Sequence, residues 1–182
     1  MPWGPDGSLE LVLPLDGAFR GAGIDVVWPD LSDPVTDYPG ALEQALDSPV
    51  GMEKLERHLS SSAKVAIVVD DPSRWTPIRE ALPIVLRRLH AAGIGREDVT
   101  ISVGVGRHHV VDAEAMRRRL GDSIVTSYRC FSPPVDDLNA YVDLGSTPQG
   151  VPVRIFRPVA LADFRILIGS VLPHLQIGRA HV

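Results

Sequence analysis

Lys64-Val65-Ala66-Ile67-Val68-Val69-Asp70-Asp71-Pro72-Ser73-Arg74-Trp75-Thr76-Pro77 opens the stretch that decides the fold, and Val99-Thr100-Ile101-Ser102-Val103-Gly104-Val105-Gly106-Arg107-His108-His109 closes it. Val65 to Val69 is apolar without alternation, the pattern of a strand covered on both faces. Val99 to Val103 is the second core strand. Between them Ile78, Leu82, Ile84, Val85, Leu86 and Leu89 recur at helical spacing. Pro77 suits a first helical turn, and Thr76 before it is the N-cap candidate. Gly93 and Gly95 follow the last apolar position, as a helix C-terminus favours. A strand–helix–strand unit of this kind crosses over right-handedly, so both strands run parallel and end on one edge. An acid–arginine loop and a glycine–histidine loop then face the same crevice.

Outward from this unit, strands and helices keep alternating. Leu9 to Leu13 and Ile24 to Trp28 read as early strands, and Ala41 to Leu46 as a short helix. Met52 to Leu59 reads as a second short helix. Asp112 caps a helix that Gly121 closes, and Ile124 to Ser127 is a candidate third strand. Tyr141 to Leu144 and Val151 to Ile155 flank a turn at Gly145 to Gly150, the pattern of a hairpin. Phe164 to Ile168 is the last apolar strand. The expected class is α/β, with a mainly parallel sheet and flanking helices.

Composition narrows the function. Of 182 residues, 45% are hydrophobic and 23% charged, ordinary for a water-soluble globular chain. A net charge of −5 offers no basic face to a phosphate backbone and argues against nucleic acid. Arg117-Arg118-Arg119 is a basic run inside a helical pattern among acids, and reads as a solvated face. The single Cys130 rules out an internal disulfide and fits a reducing compartment. No apolar run approaches the roughly 20 residues that span a bilayer. A cytoplasmic location without a membrane partner is expected.

Four groups of residues can do chemistry. Asp70 and Asp71 follow a buried strand with Arg74 close behind. A carboxylate beside a guanidinium fixes an anion or orients a histidine, and the plainer reading is a helix N-cap with a local ion pair. Gly104 and Gly106 permit positive φ and close backbone approach before His108 and His109. The third glycine of a dinucleotide fingerprint is missing. Imidazole titrates near neutrality, so His108 suits proton transfer. Adjacent histidines point apart, and no spacing in the chain supports a zinc site. His174 follows the last strand and Gly169, and by the same topology reaches the edge that holds Asp71 and His108. Two histidines across one crevice are what a two-base enzyme needs. A non-enzymatic domain that binds an anion or nucleotide, or a phosphate-handling hydrolase, would use the same loops.

The pieces together are similar to a known family. Val68 to Pro77, Ala92-Gly93-Ile94 with Glu97-Asp98-Val99, Gly106-Arg107-His108, Leu144 to Thr147 with Gly150 to Val153, and Ile168 to His174 resemble the N-terminal domain of the lactate racemases. The resemblance covers Leu9 to His174. It implies a nickel-dependent 2-hydroxyacid racemase or epimerase whose cofactor is a nickel pincer nucleotide, a pyridinium-3,5-bisthiocarboxylic acid mononucleotide attached to a lysine. It implies that His108 and His174 are the acid/base pair, and that Asp70, Asp71, Arg74 and Gly106 lie at the cofactor and substrate site. Hydride would pass from a small 2-hydroxy acid to the cofactor, leaving a 2-keto acid, and would return to its other face. Arg107 and His109 differ from the Thr and Arg more usual beside the family's histidine. The family's cofactor lysine and nickel-binding histidine follow the His174 segment and are not found in this sequence, so no metal ligand is assigned here.

Gln176 to Val182 continues no pattern, and Ile177 to Val182 matches the translation of a common library adapter. Residues 1–175 are therefore expected to be a partial N-terminal domain, and 176–182 a non-native tail. On that reading the chain alone holds no covalent cofactor, racemises nothing, and leaves apolar surface and a sheet edge uncovered.

Overall fold

Val65, Ile67 and Val69 are almost fully buried, and the strand they form, β1 (Val65–Asp70), is central to a four-stranded parallel sheet. The computed structural model describes residues 33–106 and 108–171. The early strands expected at Leu9–Leu13 and Ile24–Trp28, His174 and the tail lie outside them. From Val35 onward the described residues belong to one compact unit.

Its elements are α1 (Tyr38–Asp47), β1, α2 (Ile78–Ala91), β2 (Val99–Gly104), α3 (Ala113–Leu120), α4 (Asp122–Ser127), β3 (Arg129–Phe131), β4 (Tyr141–Ser146), β5 (Pro152–Phe156), α5 (Arg157–Ala160) and β6 (Phe164–Ile168). Strand order is β3-β2-β1-β6, and every pairing in it is parallel. The α/β class and the mainly parallel sheet are as expected. β4 and β5 form a separate antiparallel hairpin, also as expected. Phe156 of the hairpin meets Phe131 of β3 edge to face, with ring centroids 5.9 Å apart.

The core lies on the face where Val65, Ile67, Val69, Val99, Ile101 and Val103 meet Leu82, Val85 and Leu89 of α2. α2 ends as its sequence dictates. Gly93 takes φ +89°, the Gly93 amide donates to the His90 carbonyl, and the Ile94 amide donates to the Leu89 carbonyl. These paired bonds satisfy the last carbonyls, and the buried Ile94 side chain seals the turn. Within α2's last turn, His90 receives the Tyr128 hydroxyl at 2.6 Å and binds the Ile94 carbonyl at 2.7 Å.

Four local expectations fail for physical reasons. Ile124–Ser127 is the end of helix α4, not a strand. Met116, Leu120 and Ile124 are buried at four-residue spacing, so the core face of α3 continues past Gly121 and overrides the β-branched run. The third strand starts two residues after α4, at Arg129. Met52–Leu59 yields only a single 3₁₀ turn at Leu55–His58. Gly51 and Ser60–Ser62 leave too few residues between them to propagate a helix. Thr76 caps nothing: Pro77 precedes α2 without a side-chain cap, and the Thr76 hydroxyl is turned elsewhere. Arg119 does not belong to a solvated face. Its neighbours Arg117 and Arg118 are exposed, but its own side chain is only 11% exposed.

Candidate active site

β1 and β2 pair in register to their last residues, Asp70 opposite Gly104, so the loops that follow leave from one edge. β6 ends at the same edge. A side chain on Gly169, just after β6, would sit 3.8 Å from the Asp70 carboxylate. The chain positions three loops together because three parallel strands share one direction.

The two aspartates diverge. Side chains alternate along a strand, and Asp70 and Asp71 inherit opposite directions from its end. Asp70 turns to the helices, where it accepts from the Thr76 hydroxyl and pairs with Arg119 of α3. Asp71 turns to the β2 loop. Its Oδ2 lies 2.9 Å from His108 Nδ1, and its Oδ1 accepts from the Ser73 amide at 2.8 Å. Neither aspartate pairs with Arg74, the nearer cation in sequence, and neither caps α2.

This arrangement sets protonation. Burial works to raise the Asp71 carboxyl, but the side chain and amide of Ser73, with His108, outweigh it and hold the group below its ordinary value. An ionised Asp71 accepts only, so the proton between the two residues belongs to His108 Nδ1. Nε2 of the neutral ring then keeps its lone pair. The His108 side chain is 57% exposed, so that lone pair is open to a reactant. The turn before it fits the two glycines. Gly106 takes φ +56°, and a side chain at Gly104 would lie in contact with the Val69 carbonyl at 3.4 Å. The His108 amide donates to the Val105 carbonyl at 2.9 Å and closes the turn. His109 is exposed beside it.

Arg74 points to a cleft of about 480 Å³ lined by Tyr38, Ser73, Arg74, Trp75, Thr76, Pro77, Gly169 and Ser170. Among the described residues no carboxylate lies within 4 Å of its guanidinium. Trp75 is 94% exposed at the cleft. His108 and Asp71 are not lining residues of this cleft, but Ser73 belongs to it and donates to Asp71. A free guanidinium, a hydroxyl and a flat aromatic face suit the phosphate, ribose and ring of an anionic mononucleotide. Among the described residues no group of three His, Cys, Asp or Glu side chains is placed to hold a metal ion. The cleft therefore offers an anion a cation and a hydroxyl, and the described residues offer a metal no ligand set.

Sequence reasoning missed Arg119, Thr76 and Ser73 as parts of this constellation. Arg119 was legible: it follows Met116 by three residues and precedes Leu120, both buried, so helical spacing turns it inward. Ser73 follows an Asp by two residues, the spacing of an Asx turn.

The chain matches the family described as the lactate racemase N-terminal domain over residues 21–180. It is 28% identical over 137 residues to a lactate racemase of Lactiplantibacillus plantarum, covering 75% of this chain and 32% of that protein. It is 22% identical, at the same coverages, to a lactate racemase of Thermoanaerobacterium thermosaccharolyticum. The chain thus spans about a third of the length of these curated relatives. The structure of the lactate racemase apoprotein from the second organism superposes with a TM-score of 0.65 at 20% identity, covering 71% of this chain and 31% of that one. That likeness confirms the fold. Among the described residues no helix is long and apolar enough to cross a membrane.

Proposed function

This chain belongs to the lactate racemase N-terminal domain family, and from that membership we propose that it supplies the proton-handling edge of a 2-hydroxyacid racemase or epimerase. The observation that supports this reading is the His108 Nδ1 to Asp71 Oδ2 contact of 2.9 Å at the shared edge of β1 and β2. Asp71 holds the ring in one tautomer and stabilises the imidazolium that forms when Nε2 takes a proton.

His108 Nε2 removes the hydroxyl proton of a small 2-hydroxy acid. The nickel pincer nucleotide, when bound, supplies the acceptor for the Cα hydrogen, which departs with its electron pair. Loss of a proton and a hydride leaves a planar 2-keto acid; hydride return to the opposite face of C2, with a proton returned to the oxygen, gives the enantiomer. His174 is the candidate base for that face. Arg74, with Ser73, is assigned to an anionic group of cofactor or substrate. The substrate's carboxylate needs such a cation once water is excluded.

The test is a chimera in which this chain replaces the matching third of a lactate racemase, loaded with cofactor and assayed for D/L interconversion of lactate and other 2-hydroxy acids. His108→Ala is expected to lower kcat by about 10²–10⁴-fold, the range of a lost general base, in a chimera that still folds. Interconversion at an undiminished rate in His108→Ala would overturn the assignment.

A further inference from the structure

We propose that Arg119 is a positioning residue for the His108–Asp71 pair, acting through Asp70 and the loop after β1. The inference deepens the functional reading above and rests on its assignment of His108 and Asp71. Arg119 lies in α3, 49 residues beyond Asp70 in sequence, yet its guanidinium closes the loop like a staple. Nη2 pairs with the Asp70 carboxylate at the start of the loop. Nη1 donates to the Arg74 carbonyl at 3.0 Å and to the Thr76 carbonyl at 3.1 Å, near its end. Both ends of the segment that bears Asp71, Ser73 and Arg74 are therefore fastened to one planar fork.

Two consequences follow for His108. The first is geometric. Asp70 fixed toward α3 sets the rotation of the chain at the end of β1, and alternation then sends Asp71 to the opposite side, onto His108 Nδ1. The second is electrostatic. Arg119 neutralises Asp70, so Asp71 is the carboxylate whose charge His108 meets. The other groups facing this cluster are the Thr76 hydroxyl on Asp70 and Ser73 on Asp71.

The guanidinium sits where the loop needs it and not where its own bonding is best. Arg119 Nε is buried without a partner among the described residues. A buried N–H left unmade is destabilising, and such groups in native structures call for an explanation. Here the two Nη contacts that span the loop fix the plane of the fork, and Nε is left over. Lysine in its place would keep the charge but has no rigid fork to bridge Asp70 and two carbonyls together.

Two measurements test this. The first uses this chain alone: nitrogen NMR of the His108 side chain in the parent, Arg119→Lys and Thr76→Val. The parent is expected to show the neutral ring protonated at Nδ1. Arg119→Lys is expected to shift His108 toward the free-imidazole mixture, in which the Nε2–H form dominates. Thr76→Val, which removes one donor to Asp70 at nearly constant shape, should shift it the same way but less. A His108 spectrum unchanged in folded Arg119→Lys overturns the proposal. The second uses the loaded chimera, where Arg119→Lys should lower kcat about tenfold with KM nearly constant. A purely structural role would lower the melting temperature and leave kcat of the folded fraction intact, and that result also overturns it. Should Arg119→Lys not fold, Thr76→Val decides by the same two readouts. If His108→Ala leaves turnover intact, the functional reading fails, while the His108 spectrum still reports on Arg119.

Discussion

The loops after β1 and β2 leave the same edge of the sheet and are built in opposite ways. The first is bonded throughout. The Arg74 amide donates to the Asp71 carbonyl at 2.9 Å, the Ile78 amide to the Thr76 carbonyl at 2.8 Å, and Arg119 binds both ends from α3. The described residues of the second loop rely on less: the turn from Val105 to His108, and the Val111 amide on the Ser132 hydroxyl at 2.7 Å. What joins them is the contact between Asp71 and His108. The difference separates two tasks. A rigid loop holds a carboxylate in place, and a lightly tethered one presents the imidazole that moves a proton. Precision comes from the fixed partner, as catalytic geometry requires.

The largest test asks whether the two loops share one foundation. Ile67 lies in the middle of β1, fully buried, opposite Ile101 of β2 and Ile166 of β6. Ile67→Ala is expected to cost about 2–5 kcal/mol, the usual range for a large core deletion. Because the pairing of β1 with β2 sets both loops, they should lose order in one transition. Chemical denaturation followed separately by the Ser73 amide resonance and by the His108 resonance should give coincident midpoints. Two separated transitions would show that the loops are held independently.

The foundation itself was legible in sequence. Five consecutive apolar residues at Val65–Val69, then Val99, Ile101 and Val103 with a helical period between, have few alternatives to a parallel strand–helix–strand unit. The shared edge then followed from handedness. Asp71 and His108 were placed at that edge from the order of elements alone. Their partners were not legible, because partnership at a strand end depends on a one-residue alternation and on a helix far along the chain. Asp70 and Asp71 look equivalent in sequence, and Arg74 is the nearer cation. The distant Arg119 takes Asp70 because α3 packs its Met116–Leu120 face on the core beside β1. The mistaken strand at Ile124–Ser127 has the same origin: β-branched residues in a short run obey the core stripe of the preceding helix, not their own propensity.

A smaller effect probes the lightly tethered loop. Gly106 takes φ +56° with open space around the position where a side chain would go. Gly106→Ala therefore meets no clash and pays only for a left-handed backbone, about 1–2 kcal/mol. The rigid loop should be untouched, so the Asp71–Ser73 turn is expected to keep its amide shifts while His108 moves. Equal perturbation of both loops would count against the separation of tasks.

The smallest effect concerns the contact itself and appears only in acid. Asp71 is held below its ordinary value because Ser73 and His108 outweigh the opposing effect of burial. A carboxylate depressed in the folded state binds its proton more weakly there than in the unfolded chain. Its stabilisation is thus fully present above the unfolded value of about 3.9 and is lost as pH falls from there through the folded value. Asp71→Asn keeps the shape and an acceptor oxygen but removes the titration. Urea midpoints measured between neutral pH and pH 2 should fall less steeply below pH ~4 in the variant than in the parent. Above about pH 5 Asp71 is ionised in both states of the parent and adds no slope of its own. If the slopes of parent and variant agree across the acid range, Ser73 and His108 do not stabilise the Asp71 charge, and the rigid loop holds only the shape of its carboxylate. His108 would then be oriented by position alone.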